Sequence, residues 1–127
     1  MPRVFIVEDN KMFREILKET LSVCFPSIEI ETAADGRRFL EKIEEQNPDL
    51  IFIDIQLPYD NGLNLTKQIK SLHRNIPVII ITGYDNPDYR NAASQAGADY
   101  FFSKKELKTS DIIEVVESVM SLKLEKQ

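Results

Sequence analysis

Five polar residues stand where short apolar runs stop. Glu8 and Asp9 follow Val4-Phe5-Ile6-Val7, Asp54 follows Leu50-Ile51-Phe52-Ile53, Thr82 follows Val78-Ile79-Ile80-Ile81, and Lys104 comes shortly after Tyr100-Phe101-Phe102. Asp54 is the only charge between Leu50 and Leu57. In open parallel sheets, sites form at the carboxyl ends of the strands. Three carboxylates, a hydroxyl and an ammonium are therefore expected at one rim. Carboxylates held close together repel unless a cation joins them. No His or Cys stands beside these residues. The ligand set is then all oxygen, which favours a hard ion such as Mg²⁺. A carboxylate can also attack phosphorus and form an aspartyl phosphate. Catalysis of such a transfer is mainly positioning and charge neutralisation, which Mg²⁺, Lys104 and the Thr82 hydroxyl can supply around three phosphoryl oxygens.

The elements that must position this set follow from the apolar pattern. Continuous β-branched runs of four residues suit strands buried on both faces of a parallel sheet. Ile28-Glu29-Ile30-Glu31-Thr32 alternates, as an edge strand does, and Tyr100-Phe101-Phe102 is short and aromatic. Between them, Phe13, Ile16, Leu17, Thr20, Leu21 and Cys24 share one face of a first helix, capped by Asn10. Asp35 is placed to cap a second helix that buries Phe39, Leu40 and Ile43 and ends before Pro48. Leu65, Ile69 and Leu72 mark a third. Asn86-Pro87-Asp88 reads as cap, first-turn proline and first-turn acid of a fourth, which Gly97 stops. That helix offers only Ala92, Ala93 and Ala96 as apolar groups, so it is expected to be weakly held. A fifth runs from about Ser110 with Ile112, Val116 and Val119 in one stripe, and its continuation past Leu122 turns polar by Gln127. The pattern is β-α five times, giving a three-layer α/β sandwich with right-handed crossovers.

The chain has 127 residues, enough for one domain with a core, and residues 1–127 read as a single domain. Its formal charge of -5 argues against a nucleic-acid surface. The single cysteine excludes an internal disulfide and a cysteine-rich metal site. The apolar run after Met1-Pro2-Arg3 is too short for a signal peptide or a membrane span, which points to the cytoplasm.

Val7-Glu8-Asp9, then Asp54-Ile55-Gln56-Leu57-Pro58 with Asn61-Gly62-Leu63, then Ile81-Thr82-Gly83, then Gly97-Ala98-Asp99 leading to Lys104, resembles the response-regulator receiver family over nearly the whole chain. The resemblance implies a doubly wound, flavodoxin-like sheet of order 2-1-3-4-5 with helices on both faces. It implies that Asp54 accepts a phosphoryl group from a phosphohistidine on a sensor histidine kinase or a histidine phosphotransfer protein, and that the domain then changes shape to control an output. Asp9 and Asp54 would bind Mg²⁺ directly, Glu8 through water, and Gln56 by its backbone carbonyl. Thr82 and Lys104 would hold phosphoryl oxygens, and Phe101 stands where the family places its aromatic switch residue. Many receivers follow the lysine with a cis proline; Lys105 stands there instead, and a cis bond at such a position costs roughly 3–4 kcal/mol. Ser103-Lys104-Lys105 looks more like receivers joined to LuxR-type DNA-binding outputs, an output domain this chain would have if its parent is longer.

Each residue also has a plainer reading. Thr82 alone is an ordinary strand end, Lys104 alone a solvated lysine, and Phe101 an edge-strand core residue. His73 reads as surface without a partner, Cys24 as helix packing, and Glu41, Glu44 and Glu45 as a solvated face. Three other functions share parts of the pattern. A haloacid-dehalogenase-type phosphatase needs a second Asp two residues after its nucleophile, but Asn10-Lys11 follow Asp9 and Ile55-Gln56 follow Asp54. A flavodoxin-like flavin carrier cradles phosphate in its first loop, where Glu8 and Asp9 would repel one. A pseudo-receiver that only binds would normally have lost some of the five site groups.

Overall fold

The computed structural model describes residues 2–125, with side chains described to residue 120. Along the chain run β1 (Arg3–Val7), α1 (Lys11–Cys24), β2 (Glu29–Ala33), α2 (Phe39–Gln46), β3 (Leu50–Ile53), β4 (Gln56–Leu57), β5 (Asp60–Asn61), α3 (Gly62–Leu72), β6 (Val78–Thr82), α4 (Pro87–Ala96), β7 (Tyr100–Ser103) and α5 (Thr109–Glu125). Five strands pair in the order β2-β1-β3-β6-β7, all parallel. Counting the five long strands alone, this is the expected 2-1-3-4-5. The antiparallel pair β4-β5 is a small hairpin after β3 that the sequence pattern did not announce.

Alternation along each central strand explains why its run is continuously apolar. Val4, Ile6, Leu50, Phe52, Ile79 and Ile81 pack toward α1 and α5, with Leu17, Leu21, Ile112, Val116 and Val119. Phe5, Val7, Ile51, Ile53, Val78 and Ile80 pack toward α2, α3 and α4, with Phe39, Ile43, Leu65, Ile69 and Ala93. The edge strand β2 alternates between exposed and partly buried positions until Ala33.

Local chemistry sets the helix ends. Asn10 and Asn86 cap α1 and α4 through their side chains, Pro87 opens α4, and Gly97 closes it at φ 99°. Asp35 does not cap α2. Its carboxylate instead accepts from the Arg37 backbone N–H, and α2 starts later, behind Arg38 in a left-handed conformation. An Asp side chain reaches backbone N–H groups two residues on, and here that local turn wins over a cap. Two residues assigned to helix stripes face outward: Ile16 is 57% exposed and Leu72 61%. His73 is not partnerless, since its Nε2 lies 2.7 Å from Glu44 Oε1 across the α2–α3 boundary. Among the described residues no peptide bond is cis, so Lys104–Lys105 departs from the cis-proline pattern. Met1, Lys126 and Gln127 lie outside the described residues, and with them the polar end read after Leu122.

Candidate functional site at the carboxyl rim of the sheet

Backbone pairing carries the site residues just past the strand ends. The Glu8 N–H donates to Ala33 O, the Asp54 N–H to Val7 O, and the Lys104 N–H to Thr82 O. With Thr82, which ends β6 in register with Ser103, the sheet ladder thus fixes four of the five positions. Glu8, Asp9 and Asp54 each place a carboxylate oxygen within 4.8 Å of the others. Glu8 and Asp54 are 3% and 5% exposed, whereas Asp9 faces solvent. Lys104 reaches into this cluster, its Nζ 2.5 Å from Glu8 Oε1 and 3.1 Å from Asp54 Oδ2.

Two buried carboxylates beside one ammonium is an electrostatically loaded arrangement. Burial is the main influence on Glu8 and pushes its carboxyl up to about 7; the Lys104 hydrogen bond opposes this and the Asp54 charge adds to it. Burial also works against the charge on Lys104, but Glu8 and Asp54 outweigh it and hold the amine above the ordinary lysine value. Remaining acceptors are satisfied locally: Asp54 Oδ1 takes the Gln56 N–H at 3.2 Å, and Glu8 Oε2 takes the Asn10 N–H at 3.2 Å. Three clustered carboxylates with an exposed member fit a hard divalent ion that keeps several waters.

Thr82 is fully buried at the end of β6, and its Oγ1 accepts from the Tyr84 N–H at 3.2 Å. It joins the rim through its carbonyl rather than by contact of its hydroxyl with a carboxylate. Gln56 contributes its backbone and keeps its side chain in solvent. Phe101 stands apart from the acidic cluster. It is partly buried on β7, with the Arg90 guanidinium 4.8 Å above its ring. Beside it opens a cleft of about 640 Å³ lined by residues that include Arg90, Leu107 and Asp111.

Three contributors escaped the reading of the sequence as physical parts of the site. Gly62 starts α3 so close to the third strand's end that a Cβ there would lie 2.1 Å from the Asp54 carbonyl oxygen. Asn61-Gly62 marked this in the sequence, but the reason is steric and long-range. Phe13, assigned to the core stripe, also carries the Lys104 ammonium 4.6 Å over its ring. Its aromatic character in the first turn after a cap was the available signal. Arg14 donates from Nη1 to the Glu8 carbonyl at 2.8 Å, and no spacing rule points to it.

Comparison with known proteins agrees with this geometry. The family described as "Response regulator receiver domain" matches residues 4–117. The response regulator MprA of Mycolicibacterium vanbaalenii is 33% identical over 102 residues, covering 80% of this chain but only 43% of that protein. This chain therefore spans less than half the length of that curated relative. A CheY-like receiver domain protein from Methanospirillum hungatei superposes with a TM-score of 0.89 at 27% identity, covering 100% of this chain and 99% of that one. The response regulator TrrA of Thermotoga maritima, solved in complex with Mg²⁺ and BeF, gives 0.81 at 31% identity, covering 94% and 99%.

Proposed function

This chain belongs to the response regulator receiver family, and from that premise we propose that Asp54 is its phosphoryl acceptor, with residues 1–127 acting as one receiver unit of a two-component phosphorelay. The observation that carries the assignment is the pairing of one buried, nearly central carboxylate with Lys104 at 3.1 Å, beside two further carboxylates. An Asp54 carboxylate oxygen attacks the phosphorus of a phosphohistidine on a sensor histidine kinase or histidine phosphotransfer protein. The N–P bond breaks, and its electron pair stays on the imidazole nitrogen. Lys104 stays charged and offers its ammonium to a phosphoryl oxygen, while Thr82 turns its hydroxyl toward another. Asp9 and Asp54 would hold Mg²⁺ directly, with Glu8 acting through water and Gln56 by its carbonyl, and the ion would supply the charge neutralisation that the crowded phosphoryl oxygens require. The protein catalyses both its own phosphorylation and the separate hydrolysis of the aspartyl phosphate by water, without being a classical enzyme.

The parent protein acts in the cytoplasm in this reading, and no helix among the described residues is long and apolar enough to cross a membrane. Its output is a protein or an appended domain, of which a LuxR-type DNA-binding domain is one form. A LuxR-family DNA-binding response regulator from Staphylococcus aureus is among the structural neighbours, with a TM-score of 0.84 at 28% identity. The test is incubation with Mg²⁺ and acetyl phosphate followed by intact mass. One phosphoryl group is expected on the wild type and none on Asp54→Asn; equal labelling of both would refute the assignment.

A further inference from the structure

Lys104 has three contacts, and only two of them are charged. Its ammonium lies against Glu8 and Asp54 and, on a third side, 4.6 Å from the centroid of the Phe13 ring. A lysine ammonium is a compact charge on a flexible four-carbon stem, so one or two partners leave it free to swing. Phe13 is anchored by its backbone and by its packing. It occupies the third position of α1, its backbone N–H bonds to the Asn10 side chain at 2.9 Å, and its ring packs at the edge of the cluster around Leu17 and Leu21. The Lys104 side chain is 20% exposed, which removes much of the water that would screen the contact.

We propose that Phe13 is a positioning residue for phosphoryl transfer: the negative face of its ring fixes the Lys104 ammonium over Asp54. The inference rests on the reading of Asp54 as acceptor and Lys104 as phosphoryl ligand. Glu8 and Asp54 are, with Asp9, also the carboxylates that would share a cation, and Asp54 would change charge and shape when phosphorylated. Both anionic holds on Lys104 therefore change during the reaction. The ring is uncharged, takes no part in metal binding, and its quadrupole is the same before and after transfer. It is the constant member of the three. Arg14, the next residue, ties the same first turn to the Glu8 backbone carbonyl at 2.8 Å.

A positioning role through the π-face is separable from packing. Phe13→Leu keeps apolar bulk and removes the ring. Replacement of Phe13 by its 3,4,5-trifluoro analogue keeps the shape and weakens the quadrupole. Initial rates of phosphorylation by acetyl phosphate are expected to fall about three- to tenfold in Phe13→Leu and to an intermediate extent in the fluorinated protein, and to recover in Phe13→Tyr. Independently of activity, the ε-methylene protons of Lys104 are expected upfield in the NMR spectrum from the ring current, both free and with Mg²⁺ and beryllofluoride, and to lose that shift in Phe13→Leu. A rate unchanged by fluorination, a rate that rises in Phe13→Leu, or an absent ring-current shift with beryllofluoride bound would overturn the inference. Lys104→Ala serves as the control for the underlying reading. If it phosphorylates like the wild type, the role of Lys104 is wrong; if it is impaired while the Phe13 series is flat, only the role of Phe13 is.

Discussion

Helix α1 leaves the rim after Glu8 and Asp9, and helix α4 leaves it after Thr82. Both open on an asparagine whose side chain accepts the N–H three residues on, at 2.9 Å for Asn10 and 3.1 Å for Asn86. Both bring a cation and an aromatic ring together at the last strand or just past it, Phe13 beneath Lys104 and Arg90 above Phe101. Beyond the first turn they differ. α1 sinks Leu17 and Leu21 between the sheet and α5, whereas α4 buries only Ala93 and Ala96. Each large side chain fully buried stabilises by roughly 1.5–3 kcal/mol, and an alanine by far less. The asparagine cap is thus common to both, and α4 even adds Pro87 and Gly97 at its ends, so the depth of the apolar anchors decides which helix is fixed and which can shift. Regions that open easily are those with few buried apolar contacts.

The largest effect expected from this difference is on stability. Leu21→Ala in α1 should cost about 2–5 kcal/mol, while Ala93→Gly in α4 should cost about 1 kcal/mol, mostly helix propensity. Urea unfolding of the two variants checks this. Equal losses would mean that α4 is anchored by something other than its alanines.

Ion binding should sharpen the same contrast. Glu8, Asp9 and Asp54 crowd like charge at the foot of α1, and a cation bound only to the native state adds about 2.7 kcal/mol at a hundredfold excess over its Kd. Melting temperature should rise with millimolar Mg²⁺ at matched ionic strength, with added amide protection concentrated in residues 8–14 rather than 83–90. No rise would remove the metal site; a rise with protection spread equally over α4 would remove the contrast.

How much of this was readable beforehand follows the range of the forces involved. Strand runs, the two asparagine caps and the Gly97 stop are local, and the acids at the strand ends inherit their position from them. Ile16 and Leu72 fit their helical stripes by period yet face solvent, because period fixes a direction and not the extent of the surface it meets. Asp35 had a cap's residue type, but a competing turn two residues on was equally local. Gly62 against the Asp54 carbonyl, Phe13 under Lys104 and His73 beside Glu44 join residues from separate elements. Such contacts exist only once the sheet has set the distances.

A smaller effect concerns the lifetime of the aspartyl phosphate. Gln56 and Tyr84 each lie two residues past a site residue, where a bulky side chain can obstruct water approaching in line. Tyr84 is half exposed and its ring leans on Tyr89 of α4, with centroids 6.0 Å apart. The shield is therefore carried partly by the looser helix. Tyr84→Ala should shorten the lifetime by less than tenfold, under about 1.4 kcal/mol of barrier. An unchanged or longer decay, followed by loss of the phosphorylated mass, would refute shielding.

The smallest expected effect is a difference between two differences, and it asks whether α4 is the part that responds. Phosphorylation adds about -1.5 to -2 charges and strong acceptor oxygens at the end of β3. The Thr82 hydroxyl now accepts from the Tyr84 N–H, and it can turn to donate toward those oxygens. That movement opens space beside β7 for the Phe101 ring, which has no hydroxyl to leave unsatisfied on burial. Arg90 lies over that ring and is tied to Asp85 at 2.7 Å, so an inward turn of Phe101 pulls on the first turn of α4 and on the loop before it. A modification shifts such an equilibrium only by its differential interaction with the two states, and here that interaction passes through one hydroxyl. Thr82→Ala should still accept a phosphoryl group on Asp54. Its amide-exchange and chemical-shift changes on adding beryllofluoride should shrink between residues 85 and 120 while persisting next to Glu8 and Asp54. If the wild-type changes stay within the loops after Glu8, Asp54 and Thr82, or if the variant reproduces them in full, the signal does not leave through α4 and β7.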